Sequence, residues 1–177
     1  MPLGLLKYGF SKRHPAPRAL PPRPELKESY DVVIVGGGGH GLAAAYYLSK
    51  VHGITNIAVI DKGYLAGGNT ARNTAIIRSN YLTPEGVRFY DESVRLYQGL
   101  SNEFDFNILY SERGHLTLAH TDASLRTMRW RAEVNSHCGV DSELVYPDEI
   151  ARLVPSLNLS PDVRYPVLGA LHHKPGA

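Results

Sequence analysis

The sequence predicts an α/β fold that opens with a parallel βαβ unit and continues into an inserted α+β region. Three observations predict it: the apolar run VVIV at 32–35, the glycine-rich turn GGGGHG at 36–41, and a second apolar run, NIAVI at 56–60, that leads into Asp61. Uninterrupted apolar runs are typical of strands buried on both faces of a parallel sheet. A strand, turn, helix and strand within about thirty residues form a right-handed βαβ unit.

The remaining elements of the first half follow in order. A helix is expected from Leu42 to Val51, where consecutive alanines permit close approach to the sheet. A glycine- and asparagine-rich loop follows, from Lys62 to Asn80. Thr83 suits an N-cap and Pro84 the first helical position, so an amphipathic helix is expected to run from there to about Leu100.

The second half alternates between strands and helices, which predicts the inserted α+β region. Two apolar runs separated by SERG indicate a hairpin. The predicted elements are hairpin strands at 106–110 and 115–119, helices at 122–137 and 146–155, and the start of a strand at 165–173. No partner strand closes the sheet before the C-terminal HHKPGA, so we expect an incomplete fold.

Composition excludes several classes of protein. An apolar content of 43% and a charged content of 20% indicate a folded globular chain. Five basic residues and no acid fall within residues 1–24, which leaves no basic face for nucleic acid on the remainder. The single cysteine, Cys138, excludes a disulfide framework or a cysteine-rich metal site. No apolar run reaches the roughly 18–20 residues that span a bilayer, so we expect a cytoplasmic protein that is not bound to membranes.

The glycine turn carries the main functional signal. Gly36, Gly38 and Gly41 match G-x-G-x-x-G, in which the glycines permit the tight turn, the approach of a pyrophosphate and close helix–strand packing. The helix N-terminus would offer amide donors and partial positive charge to the phosphates. Asp61 lies at the end of the second strand, where a carboxylate binds the adenosine ribose. An acid there favours a free 2′-hydroxyl over a 2′-phosphate and leaves NAD and FAD both open.

The other residues of the turn have no independent assignment. Gly37 and Gly39 are additional to the motif. His40 stands at the mouth of the helix, where a protonated imidazole would oppose the helix dipole, so we interpret it as a neighbour of the amides and not as a catalyst.

Three longer segments, DVVIVGGGGHGLAAAYYL, AVIDKGYLAGGNTARNTAIIRSNYL and RYPVLGA, resemble the beta subunits of heterotetrameric sarcosine oxidases within the D-amino-acid-oxidase-like flavoproteins. The resemblance runs from about Ser29 to the last residue. It implies non-covalent FAD at the glycine turn and oxidation of the N-methyl amine of sarcosine or a similar amino acid. It also implies other subunits as partners and passage of electrons through FMN to oxygen.

The resemblance also implies roles for individual residues. Arg78, in IIRSNY, matches the position that holds the substrate carboxylate, for which a planar guanidinium is suited. FMN is attached in such proteins to a histidine in a segment A-[RK]-H-D, which would lie beyond Ala177; His172 and His173 do not match it. The expected cofactor contacts are Gly36, Gly38, Gly39, Gly41, Asp61, Lys62, Arg72, Asn73 and Thr74.

The domain organisation follows from the motifs and the resemblance together. We expect a Pro-rich basic arm over 1–28, the FAD-binding βαβ unit and flavin loop over 29–82, helices and a hairpin leading into a substrate region over 83–165, and the start of a return strand over 166–177. A chain lacking the attachment histidine and most of the substrate region is expected to have no appreciable sarcosine oxidase activity alone.

Two alternatives remain open at this stage. One is another secondary-amine flavoenzyme of the dimethylglycine dehydrogenase or glycine oxidase type. The other is a non-catalytic flavin-binding subunit that docks a catalytic partner. No metal site is expected, because His115 and His120 flank a short strand and point to opposite faces. On the helix LRTMRWR, Met128 and Trp130 are expected to pack in the core.

Overall fold

A computed structural model describes residues 10–11 and 25–177, so most of the Pro-rich arm expected over 1–28 lies outside the described residues. The chain divides into two compact units. Of the described residues, 25–75 form the glycine-turn unit and 76–177 form the three-strand unit.

The glycine-turn unit contains the predicted βαβ arrangement. Strand β1 (Val32–Val35), helix α1 (Gly39–His52) and strand β2 (Ile57–Ile60) follow one another. The two strands are parallel, with Val32 opposite Ile57 and Val35 opposite Ile60. Helix α1 ends at Gly53, whose left-handed backbone (φ +67°) is the usual conformation of a helix stop.

One face of this small sheet is more exposed than the sequence predicts. Val33 and Val35 are 53% and 83% exposed, although the apolar run predicts burial on both faces. Ile34 points the other way, towards α1, where its Cγ2 lies close to Gly41. In the part of this unit that the structure describes, α1 packs on the sheet, while the face that carries Val33 and Val35 is largely open.

The three-strand unit begins with helix α2 (Pro84–Glu103). The Thr83 hydroxyl accepts a hydrogen bond from the Gly86 amide, and Pro84 occupies the first turn, as the sequence predicts. Val87 and Val94 are buried on one side of the helix. The helix continues one turn's length beyond the expected end near Leu100.

Three antiparallel strands form the sheet of this unit, in the order β3–β5–β4. They are β3 (His115–Ala119), β4 (Ser142–Val145) and the central β5 (Gly169–His173). Helix α3 (Asp122–His137) has the predicted bounds and contacts all three strands, and α4 (Pro147–Leu153) contacts β5. Because β5 has neighbours on both edges, its backbone and side chains are the most enclosed of the sheet.

The predicted hairpin does not form. Residues 106–110 form no strand, and β3 pairs with β5, fifty residues further along the chain. Leu109 has a left-handed backbone (φ +59°), which an extended strand cannot contain. Strand β4 was not predicted, because its four residues alternate too briefly to stand out from a loop.

Two groups of apolar side chains fill the core of this unit. One contains Val145, Ile150, Val167 and Ala170, and the other Ala119, Met128 and Leu171. Met128 is buried as expected, whereas Trp130 is 58% exposed, so the prediction that it packs in the core is wrong. Residues two apart on a helix point to different faces, so Trp130 cannot share the surface that Met128 buries.

Candidate functional site

The turn between β1 and α1 depends on glycine at its first position. Gly36 has φ +110°, a backbone conformation that residues other than glycine rarely adopt. Its amide donates to the Ile60 carbonyl at 2.7 Å, so the turn is tied to the end of β2. The chain therefore turns sharply at the end of β1 and leads directly into α1.

Gly41 is required for a different reason, namely close approach. A Cβ atom at this position would lie 1.9 Å from the carbonyl oxygen of Gly36, which is far inside contact distance. Gly38, at the N-cap, has no side chain to cap the helix, and an added Cβ would meet Thr70 Oγ1 at 3.1 Å. Because Gly38 has no side chain, a ligand can approach the backbone of the first turn of α1 closely. This end of the helix also carries the partial positive charge of a helix N-terminus.

Thr70 is a component of this turn that the sequence did not reveal. It lies in a short 3₁₀ helix, Asn69–Arg72, and its Oγ1 accepts a hydrogen bond from the Gly39 amide at 3.0 Å. The contact brings the loop after β2 against the N-terminus of α1. No local pattern links residues 31 positions apart, so only the folded loop reveals the pair.

Asp61 holds the turn from the other side. Its Oδ2 accepts from the Gly37 amide and its Oδ1 from the Gly63 amide, both at 2.8 Å. These two backbone hydrogen bonds, first that of Gly63, lower the pKa of the Asp61 carboxyl below its ordinary value. The carboxylate is therefore ionised at the end of β2, and Gly37, unassigned from sequence, is one of the two residues whose amides bind it.

A cavity of about 590 Å³ adjoins this carboxylate within the glycine-turn unit. Its size is that of ordinary small-molecule sites. Four of the cofactor residues expected from sequence line it: Gly36, Asp61, Lys62 and Arg72. Gly38, Gly39 and Gly41 lie in the adjoining turn.

Asn73 and Thr74 are not among the residues that line the cavity. The Asn73 side chain is engaged within its own loop, since its amide donates to the Thr70 carbonyl and its Oδ1 accepts from the Ala75 amide at 2.6 Å. Thr74 is exposed. The two residues shape the end of the loop, while Arg72 donates to the Gly68 carbonyl at 3.3 Å.

Arg78 lies in the three-strand unit and is half-buried. Its Nη1 donates to Asn80 Oδ1 at 2.8 Å, and its Cζ stands 4.8 Å from the centre of the Tyr81 ring. Tyr81 in turn stacks on Tyr90 at 3.9 Å between ring centres. Among the residues that the structure describes, Arg78 forms no ion pair with an acid. Two neutral groups, the Asn80 amide and the Tyr81 ring, thus orient its guanidinium.

Arg131 and the imidazole of His115 lie near Arg78. The Arg131 guanidinium donates to the Asn80 carbonyl, and its Nε is buried without a partner among the described residues. Burial, and then the charge of Arg78, lower the pKa of Arg131. Burial and the charges of Arg78 and Arg131 also lower the pKa of His115. An anionic group would be favoured here, because the local field is positive.

Two absences concern the described residues alone. Over residues 10–11 and 25–177 no group of three or more histidine, cysteine, aspartate or glutamate side chains converges as metal ligands do. None of the helices in the same ranges has both the length and the apolar character that crossing a bilayer requires.

Comparison with known proteins gives matches over most of the chain. The profile of the FAD dependent oxidoreductase family, DAO, matches residues 31–177. Sarcosine oxidase subunit beta of an Arthrobacter species is 54% identical over 156 residues, and that of Rhodobacter capsulatus is 49% identical over 153. These alignments cover 88% and 86% of this chain and 38% and 37% of the relatives.

Among solved structures, L-proline dehydrogenase from P. horikoshii superimposes with a TM-score of 0.75 at 28% identity, over 85% of this chain and 38% of that one. The chain therefore spans somewhat over a third of the length of the relatives it matches. The residues matched by the family profile, 31–177, include the glycine turn, Asp61 and the strands of both units.

Proposed function

The chain belongs to the DAO family of FAD-dependent oxidoreductases, and from that premise we propose that it supplies the FAD-binding region of a sarcosine oxidase beta subunit. The observation that carries the proposal is the glycine turn held by Asp61 beside a cavity of about 590 Å³, in a chain 54% identical to a relative of that name. The alternatives named above, another amine flavoenzyme or a non-catalytic subunit, are outcomes of the test below.

The residues of the glycine-turn unit fit FAD. Gly36 permits the tight turn and Gly41 the close packing of α1 on it, which suits the approach of a pyrophosphate to the N-terminus of α1. Asp61 is ionised and borders the cavity, so it can accept hydrogen bonds from ribose hydroxyls. Lys62 and Arg72 add positive charge to the cavity wall. Bound FAD supplies the acceptor for the hydride equivalent.

The proposal assigns the remaining cofactor contacts to the loop and the turn. Gly38 and Gly39 contribute backbone at the start of α1, with Gly39 held by Thr70. Asn73 and Thr74 contribute through the shape of the loop end, because the Asn73 side chain is already engaged with the backbone of Thr70 and Ala75. Two observations support these assignments: these residues lie in the glycine turn and the loop after β2, and the chain belongs to the DAO family.

We assign the substrate carboxylate to Arg78. A guanidinium oriented by Asn80 and by the Tyr81 ring, with no acidic partner among the described residues, is suited to bind a carboxylate with two parallel hydrogen bonds. When Arg78 holds the carboxylate of an amino acid such as sarcosine, it also fixes the position of the N-methyl amine of that substrate on the protein. The chain needs no strong acid or base for this role, since it binds and orients the substrate.

The names of the relatives, subunits beta of sarcosine oxidase, support a proposal about the partners of this chain. We propose that this chain assembles with other sarcosine oxidase subunits in the cytoplasm and that FMN belongs to that complex. None of its own histidines is proposed to carry FMN. His173 in particular is fully buried, and both of its ring nitrogens are engaged by protein groups.

The test is the anaerobic reduction of FAD by amines. The protein, in the form its gene encodes and with any subunits that copurify, is loaded with FAD, and bleaching of the flavin absorbance is followed with sarcosine, dimethylglycine and glycine. Fastest reduction by sarcosine supports the proposal. Preference for dimethylglycine or glycine overturns the substrate, and FAD binding with no reduction by any amine overturns the enzymatic role.

A further inference from the structure

The backbone that carries Arg78 is fixed on both sides. On one side Ile77 exchanges two backbone hydrogen bonds with Ala177, at 2.7 and 2.9 Å. On the other side Ser79 is fully buried, and its amide donates to Nε2 of His173 at 3.2 Å. Arg78 therefore lies between two anchors, and the second of them is a side chain 94 positions away.

His173 occupies the most enclosed position of the sheet. It lies at the end of the central strand β5, opposite His115 on β3 and opposite Ser142 on β4, and it is fully buried. Its Nδ1 is 3.1 Å from Ser142 Oγ. The ring therefore connects the sheet to the Arg78 segment through one nitrogen on each side.

The hydrogen bonds fix the tautomer of the ring. A backbone N–H can only donate, so the nitrogen it meets, Nε2, must carry a lone pair. The proton of the neutral ring then lies on Nδ1, from which it is donated to Ser142 Oγ. The Ser79 hydroxyl, 3.4 Å from the same Nε2, has a separate acceptor in Asp91 Oδ1 at 3.3 Å.

The charges around the ring oppose its protonation. Burial, and then the neighbouring His115, lower the pKa of His173 to about 4; Arg78 and His172 act in the same direction, and Asp91 opposes them. Protonation would also replace the acceptor at Nε2 with a donor facing the Ser79 amide. The neutral ring is thus maintained by the surroundings and required by the contact.

We propose that His173 is a positioning residue for substrate binding: its neutral ring, protonated on Nδ1, holds the Ser79 backbone and thereby orients Arg78 towards the substrate carboxylate. The inference rests on the proposed function, since it gives the Arg78 segment a ligand to bind. His173 itself contacts neither substrate nor cofactor. Loss of the ring should therefore weaken carboxylate binding and leave the chemical step little changed.

Two substitutions separate the two hydrogen bonds of the ring. In His173→Gln the longer amide ends near the position of Nε2 and can still accept from Ser79, whereas in His173→Asn the shorter amide reaches only the position of Nδ1. We expect His173→Asn to raise the KM for sarcosine about tenfold, the effect of one lost hydrogen bond, with kcat changed by less than about twofold. His173→Gln should raise KM clearly less.

The control is His172→Gln. His172 is the next residue on β5, points to the other face of the strand and lies 3.6 Å from Glu143, away from Arg78. The His172→Gln variant should have the same KM and kcat for sarcosine as the unmodified protein. Equal increases in KM for the Gln and Asn variants of His173, or a fall in kcat alone, would overturn the proposal. FAD content and the binding of acetate, measured alongside, report on folding and on the carboxylate site without turnover.

A second measurement needs no variant. The ¹⁵N shifts of the histidine rings in the unmodified protein should show His173 neutral and protonated on Nδ1 between about pH 6 and 8, above its pKa of about 4. A ring protonated on Nε2, or charged in that range, would overturn the proposal. Absence of sarcosine oxidation in the protein as its gene encodes it, assembled with the subunits that copurify, would instead count against the proposed function, so the two failures are distinguishable.

Discussion

Gly41→Ala adds a single methyl group and is expected to weaken FAD binding and to lower the stability of the protein. The new methyl carbon would lie 1.9 Å from the Gly36 carbonyl oxygen and 3.1 Å from its carbon, about 1.5 Å inside ordinary van der Waals contact with the oxygen. Both neighbours are backbone atoms, so no side chain can rotate away. Either α1 must move off the sheet or the turn at Gly36 must open.

The expected free-energy cost of the substitution is that of forcing a methyl group into a packed site. This cost is about 1–3 kcal/mol, and it is larger where the backbone has to shift. The shift falls on the turn that is proposed to bind the pyrophosphate. We therefore expect the Kd for FAD to rise at least thirtyfold, equivalent to about 2 kcal/mol. The melting temperature of the apoprotein should fall as well, since Gly36 also joins the turn to β2.

The assay is a titration with FAD, followed by quenching of flavin fluorescence, together with thermal unfolding with and without FAD. Gly99→Ala is the matched control, because it adds the same methyl group to helix α2 at a position with no atom within 4 Å. It should leave FAD binding unchanged and stabilise its helix slightly. If Gly41→Ala bound FAD within about twofold of the unmodified protein, the contact between α1 and the turn would not have the rigidity argued here.

Three further changes test the other parts of the site. Thr70→Val removes the acceptor of the Gly39 amide and should weaken FAD binding about fivefold, near 1 kcal/mol, whereas Thr127→Val on the exposed side of α3 should not; equal Kd values would contradict the role of Thr70. Arg78→Met should raise the KM for sarcosine at least a hundredfold, and Arg88→Met, an exposed arginine of α2, should leave it unchanged; a similar KM in both would remove Arg78 from the site. The pKa of His173 is about 4 in the folded protein against an ordinary value of 6.5. As the pH falls, the imidazole is therefore protonated in the unfolded chain before it is protonated in the folded protein. Its stabilising contribution is complete above pH 6.5 and is lost as the pH falls towards 4; urea unfolding at several pH values should show this loss in the unmodified protein and a smaller one in His173→Gln.

Local signals in the sequence predicted most of the elements. The cap residues Thr83 and Pro84 located the start of α2, and the helix from Asp122 to His137 has its predicted bounds. The apolar runs around the glycine turn predicted the parallel strands. Each of these features depends on residues a few positions apart, which is the range over which helix caps, turns and strand periodicity act.

The contacts that complete the site depend on distant residues and were not predictable in this way. Thr70 reaches Gly39 across 31 positions, and His173 reaches Ser79 across 94. The hairpin failed for the related reason that β3 found its partner in β5, while Leu109 left the extended conformation. Gly37 was unassigned because its function is performed by its backbone amide, which every residue but proline has.

The two hydrogen bonds of Asp61 have a consequence for redesigning cofactor preference. The same carboxylate that borders the cavity holds the amides of Gly37, inside the glycine turn, and Gly63, in the following loop. An engineer who replaced Asp61 with a neutral or basic residue, to admit a cofactor with a 2′-phosphate, would also release both amides. Selectivity at the ribose and the shape of the phosphate turn are therefore inherited together, and a change of cofactor here requires a redesigned turn as well as a new side chain.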